Sequence, residues 1–203
     1  AKSKFQNIAG WFLAEILDAT FKIFTRCFII AKRWAVNDRS AYSLNFIQKI
    51  PADWNVFWLK AAEPYELIFD RSSMMQNWRY FENPEKYSFL TVRHHNNLIG
   101  YCVYRNVITE IGHNTIIADY LFLDNHVSAF NLCLETIFDN CFKSSTRALN
   151  VWCDNNSPYY KIFKAWGLRD KDRVPVILHC KNFYNEIETT KLRHFTIGDS
   201  DNV

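Results

Sequence analysis

Two carboxylates near the middle of this 203-residue chain are placed where a side chain can move protons. Asp119 lies inside the apolar run Thr115-Ile-Ile-Ala-Asp119-Tyr-Leu-Phe-Leu123, and Glu110 sits in the turn before it. Burial destabilises a charged carboxylate, so Asp119 is expected to have a raised pKa and to be poised as a general base. A hydrogen-bonded structural carboxylate is the alternative reading of the same residue. Asp199 and Asp201, near the C-terminus, form an Asp-x-Asp pair that lacks the further ligands a cation site needs. Arg71 and Arg79 suit them better, because bidentate arginine–carboxylate pairing would anchor the tail across the domain.

Other chemistries find little support. The six cysteines, Cys27, Cys102, Cys133, Cys141, Cys153 and Cys180, include no C-x-x-C pair, so no metal site is expected. Four lie in apolar runs, which fits reduced, buried thiols in a cytoplasmic protein. A net charge of +3, with acids and bases interspersed, makes no case for nucleic acid. Only 5 of the residues are glycine, few for a chain with a phosphate-cradling loop. At 49% hydrophobic and 17% aromatic the chain has ample material for one full core.

The elements that must position these residues follow from periodicity. Residues 5–34 read as a long apolar helix with Glu15, Asp18, Lys22 and Arg26 on one narrow stripe. Four central charges argue against a membrane span. Packing on its own or a neighbouring domain is the favoured role, with membrane-surface binding as the alternative. A polar linker ends near residue 41. A strand is expected over Tyr42–Ile50, a helix after Pro51-Ala-Asp53, and a second helix over Tyr65–Tyr80. Strands at about 87–94 and 98–105 flank the turn His95-Asn96-Asn97, and a longer strand covers about 114–123. Helix 128–143, strand 148–153, a helix from Pro158 to Trp166 stopped by Gly167, and a last strand Val174–Cys180 complete the order. The implied class is α/β (α+β), a mixed central sheet flanked by helices.

Two motifs carry a family likeness. Asn77-Trp78-Arg79-Tyr80 precedes an Asn83-Pro84 stop and a hairpin, and Phe195-Thr-Ile-Gly198-Asp199-Ser-Asp201 lies at the C-terminus. The element order resembles the GNAT (Gcn5-related N-acetyltransferase) superfamily over about residues 42–182, and the two motifs together add a second likeness. The chain looks like the C-terminal half of bacterial acetyltransferase-like proteins with two tandem GNAT domains. Residues 1–41 then serve as connector and linker, and 183–203 as a tail packed on the domain. The resemblance implies an acyl-CoA-dependent N-acyltransferase that moves acetyl from acetyl-CoA to a small amine, on a sugar or cell-surface precursor. Its partner would be an upstream GNAT domain, or a second copy contacted through helix 5–34.

The same resemblance implies site residues. The cofactor would lie along Leu121 and Leu123, with its pyrophosphate at the loop Asp124-Asn125-His126-Val127-Ser128. Here the chain departs from the family's Arg/Gln-x-x-Gly-x-Gly/Ala loop: it has no glycine or arginine there, and Asp124 would repel phosphate. His126 is read as a surface-loop histidine, or else as a partial cation. Of the family's Asn-x-x-Ala-x-x-x-Tyr-x-x-x-Gly helix motif, Asn156 and Gly167 match, but Phe163 replaces the tyrosine that protonates the leaving thiolate. Tyr159 and Tyr160 are the nearby substitutes; Tyr159 lies one turn from Phe163, Tyr160 points about 100° away, and Tyr160 is taken as the candidate acid. These departures motivate a second function: a non-catalytic GNAT-fold module that supports a partner domain or binds an acceptor.

Overall fold

Two consecutive left-handed residues, His95 (φ 47°) and Asn96 (φ 68°), fold the chain back on itself and start the sheet. They join β3 (Ser88–His94) to β4 (Asn97–Thr109), and β4 continues into β5 (Gly112–Phe122). The computed structural model describes residues 20, 26–32, 39–110, 112–123, 126–171 and 193–200. β1 (Tyr42–Phe46) pairs antiparallel with β3, and β6 (Ala148–Val151) pairs parallel with β5. The sheet order is β1-β3-β4-β5-β6, antiparallel except for the last pair. A parallel pair needs a crossover, and α4 (Val127–Lys143) supplies it.

The sheet separates two apolar layers. Tyr104, Ile117, Tyr120 and Phe122 face Phe130, Cys133, Leu134 and Ile137 of α4, together with Tyr159 and Phe163 of α5 (Pro158–Ala165). On the other face Phe89, Tyr101, Val103 and Leu121 meet Trp54 and Phe57 of α2 (Trp54–Ala62) and Tyr80. Strict alternation would send Asp119 to the α4 face, but a bulge opposite Val103/Tyr104 breaks it. Both Ala118 and Asp119 therefore face the α2 side, an instance of a bulge re-aiming a side chain.

Several expected elements change. Tyr65–Tyr80 is not one helix. Leu67–Ile68 forms β2, which pairs parallel with β7 (Arg193–His194). Ser72 then caps a single turn, α3 (Ser73–Gln76), which runs into a π-helical turn over Asn77–Phe81. The pairing partner of β2 lies over a hundred residues away, and such a partner overrides local helical spacing. The first strand stops at Phe46 instead of Ile50. Gly167 (φ 84°) does close α5, where its left-handed backbone lets the Leu168 N–H reach Phe163 O at 3.1 Å.

Of the N-terminal helix only residues 20 and 26–32 are described. Both are helical, and we label the latter α1; its Phe28 meets Trp166 edge-on at 6.0 Å. The rest of 5–34, the strand at 174–180 and residue 201 lie outside the described residues. No helix among the described residues is long and apolar enough to cross a membrane.

Candidate functional site

β5 outruns its neighbour. Pairing with β6 ends at Ile117↔Val151, while β5 continues to Phe122. A wedge therefore opens between the two parallel strands directly beside Asp119. Backbone polar groups on such an edge must find partners, and here side chains supply them. The Phe122 N–H donates to Tyr159 Oη at 2.8 Å, and that hydroxyl donates to Phe122 O at 3.3 Å. His194 Nε2 lies 2.7 Å from Tyr120 O, so the carbonyl partner places the proton on Nε2. Tyr120 Oη bridges the gap by donating to Trp152 O at 2.8 Å. Tyr120 stacks on Phe130 and meets Tyr159, Phe163 and His194 edge-on at 5.0 to 5.3 Å. The wedge is thus filled with aromatic rings. Burial pushes the His194 imidazole down to about 3, Arg71 adds to the shift, and the ring is neutral.

Beside the wedge lies a buried ionic network. Arg71, wholly buried, donates from Nε to Asp119 Oδ1 (3.1 Å), from Nη1 to Phe69 O (2.8 Å) and from Nη2 to Asp199 Oδ2 (2.7 Å). Asp119, also wholly buried, accepts further bonds from Gln76 Nε2 (3.2 Å), Tyr101 Oη (2.8 Å), the Tyr120 N–H (2.9 Å) and Thr196 Oγ1 (3.2 Å). Arg79 Nη1 reaches the other oxygen of Asp199 at 2.9 Å. Thr196 and Asp199 close a reciprocal capping box around the turn Ile197–Asp199. The expected tie between Arg71, Arg79 and Asp199 is present.

The raised pKa expected for Asp119 is corrected. Burial does push its carboxyl up, but the Arg71 guanidinium and the Tyr101 and Gln76 hydrogen bonds outweigh it, leaving the carboxyl below its ordinary value. The reading of Asp119 as a hydrogen-bonded structural carboxylate describes the geometry. Burial first, then the Asp119 charge, raises the neighbouring phenols Tyr80 and Tyr101 well above theirs.

The structure brings only some of the expected site residues together. Leu121 is fully buried beneath α2, and the Leu123 N–H donates to Ile99 O at 2.9 Å. Val127 and Ser128 open α4, while Asn125 lies outside the described residues. His126 is the N-cap of α4, with its ring 5.2 Å from His94 and 6.1 Å from Tyr42. Burial, then His94, lowers its pKa, so it is neither a free surface histidine nor a partial cation at neutral pH. Asn156 is exposed in a turn that Asp154 holds through the Asn156 N–H at 2.7 Å.

Glu110 is exposed at the far end of β5. Nine residues of strand put it roughly 30 Å from Asp119, outside the wedge. Tyr160 points its hydroxyl at Asp170 (3.0 and 3.3 Å), and that bond raises its pKa. The phenol inside the wedge is Tyr159, which stands where the helix motif has alanine. That mismatch was visible in the sequence. His194, Gln76 and Tyr101 gave no local signal. Among the described residues no group of histidine, cysteine or acidic side chains could hold a metal ion.

A mixed sheet whose one parallel pair parts beside a crossover helix defines the GNAT class of fold. Solved structures agree. A ribosomal-protein-alanine N-acetyltransferase from Brucella melitensis biovar Abortus 2308 superimposes with a TM-score of 0.52 at 14% identity, covering 68% of this chain and 99% of that one. A possible acetyltransferase from Clostridium difficile 630 gives 0.51 at 10% identity over 69% of this chain and 98% of that one. An aminoglycoside acetyltransferase from an uncultured soil metagenomic sample gives 0.51 at 11% identity over 68% and 99%. At these identities the likeness establishes the fold. No protein-family model and no curated protein matches the sequence.

Proposed function

We propose that the chain is an N-acyltransferase that moves the acetyl group of acetyl-CoA to an amine. The observation that carries this reading is the parting of β5 from β6 beside Asp119 on a GNAT fold. In the proposed step the amine nitrogen attacks the thioester carbonyl. The C–N bond forms, the C–S bond breaks, one proton leaves the nitrogen, and the thiolate takes up a proton. Asp119, wholly buried and held ionised by Arg71, braces the strand beside that region, and the proton leaves the nitrogen to water. A strand N–H at the wedge edge polarises the carbonyl. Tyr159, rather than Tyr160, is the hydroxyl placed to protonate the thiolate. A sugar or cell-surface amine is the proposed acceptor class, with an upstream GNAT domain or a second copy as partner. Incubation with acetyl-CoA and a panel of amines, followed by mass spectrometry of the amines, tests this. One acetyl group added to an amine is expected; an unchanged panel overturns the reading.

One observation favours a second reading. The edge groups that would meet the pantetheine amides, Tyr120 O and Phe122 N–H and C=O, are already bonded to His194 and Tyr159. A chain permanently closed in this way would be a non-catalytic module supporting a partner domain or binding its acceptor. In that case acetyl-CoA would bind neither the parent chain nor a Tyr159→Ala variant.

A further inference from the structure

Asp199 is held the way a bound carboxylate is held. Its two oxygens are divided between two guanidinium groups, Arg71 Nη2 on Oδ2 at 2.7 Å and Arg79 Nη1 on Oδ1 at 2.9 Å, and the Thr196 N–H adds 2.9 Å to Oδ2. Arginine forks of this kind recognise planar anions generally, whether they belong to the chain or come from outside.

Three observations set this arrangement apart from a permanent brace. The domain's half of the network stays charge-paired without the tail: Asp119 loses Thr196 Oγ1 but keeps Arg71, Gln76, Tyr101 and the Tyr120 N–H, and Arg71 keeps Asp119 and Phe69 O. Withdrawing the turn at 196–199 leaves Arg71 charge-paired to Asp119, but it strips Arg71 Nη2 of Thr196 Oγ1 and Asp199 Oδ2 and frees Arg79, whose side chain is already 15% exposed, so both arginines then face the vacated space. Two polar atoms beside the same network have no partner among the described residues, Gln76 Oε1 and Tyr80 Oη, in residues 0% and 5% exposed. Gln76 Oε1 accepts only, and Tyr80 Oη lies against Gly198, where a side chain would collide with it. Unsatisfied acceptors next to a carboxylate cradle match an ammonium group. Finally, the strand that holds the tail in place, β7, contributes just two ladder positions.

We propose that Arg71 and Arg79 form the carboxylate subsite for an acceptor carrying both an amine and a carboxylate, and that Asp199 occupies this subsite until such an acceptor displaces the tail. The inference rests on the acyl-transfer reading for its term "acceptor". Displacement of the tail also withdraws His194 from Tyr120 O, which clears one edge group of the wedge.

The test uses the full chain with glycine as probe, and methylamine and acetate as controls at equal ionic strength. Hydrogen–deuterium exchange of residues 193–200 is expected to rise several-fold with glycine and to stay at the baseline with methylamine. Asp199→Ala empties the subsite. At about ten times the dissociation constant, glycine or acetate should then raise its melting temperature by roughly 3–6 °C over chloride, and Arg79→Ala in that background should remove the effect. If Asp199→Ala does not fold, Arg79→Met serves: its tail exchanges faster than the parent's and no longer responds to glycine. Exchange that is indifferent to glycine in the parent, or a variant that acetate stabilises no better than chloride, overturns the proposal. Tail release by glycine without acetyl transfer leaves the subsite standing and removes the acyl-transfer reading. Transfer to methylamine and glycine alike, without tail release, does the reverse.

Discussion

The Tyr159 hydroxyl is the simplest handle on how the wedge is closed, and Tyr159→Phe removes it with almost no change in volume. The oxygen accepts from the Phe122 N–H at 2.8 Å and donates weakly to Phe122 O at 3.3 Å. Phe122 is 3% exposed and Tyr159 5%, so water does not replace the lost partner. A buried donor left without an acceptor costs about 1–3 kcal/mol, and the longer second bond adds little, so about 2 kcal/mol is expected. For a chain of this size that is a fall in melting temperature of roughly 4–8 °C, or a urea midpoint lower by about 1 M. Tyr159→Ala also loses the ring contacts with Tyr120 and Phe130, each at 5.0 Å, and should cost about 3–5 kcal/mol. Since alanine empties the space beside Phe122, that variant should bind acetyl-CoA more tightly than the parent although it is less stable. Urea denaturation followed by near-ultraviolet dichroism gives the stabilities, and calorimetry gives the affinities. A Tyr159→Phe chain within about 0.5 kcal/mol of the parent would show that the hydroxyl does not satisfy Phe122, and the account of a plugged wedge would fail.

Three further outcomes follow from the same geometry. Asp119→Asn deprives the buried Arg71 of its internal charge partner and should cost about 3–5 kcal/mol in urea denaturation; a loss below about 1 kcal/mol would contradict the network. Buried neutral His194 titrates at about 3 when folded and near its ordinary value, about 6.5, when unfolded, so the unfolded chain binds the extra proton between them. Stability from this residue is complete above about pH 6.5 and falls by about 1.4 kcal/mol per pH unit as pH drops towards 3, and subtracting a His194→Asn profile isolates that slope. Gly198→Ala places a methyl on Tyr80 Oη and 3.1 Å from Ala118 O, so overpacking should cost about 1–3 kcal/mol and speed exchange of the tail; an unchanged melting temperature would mean the turn is loosely seated.

Much of the sheet could be read from the sequence because its signals are local: the His95-Asn96 turn, the apolar run around Asp119, and the stop at Gly167 all act within a few residues. The pairing of Arg71 and Arg79 with Asp199 was legible from charge chemistry alone. The Tyr65–Tyr80 segment was not, because Leu67–Ile68 takes its structure from Arg193–His194. Asp119 shows the same limit in electrostatics. Its apolar neighbours predict a raised pKa, but Arg71, 48 residues away in sequence, reverses the sign. The bulge at Ala118 has no local sequence signature either, and it alone turns Asp119 towards Gln76 and Tyr101. Adjacent phenols completed the misreading: a rotation of about 100° between neighbours sends Tyr159 into the wedge and Tyr160 to Asp170.

Titration of acetyl-CoA into the purified chain by calorimetry bears most directly on the acyl-transfer assignment. A saturable one-to-one isotherm, tighter in Tyr159→Ala than in the parent, is the predicted result. The absence of heat from either chain up to millimolar ligand would contradict it and leave a GNAT fold without acyl-transfer function.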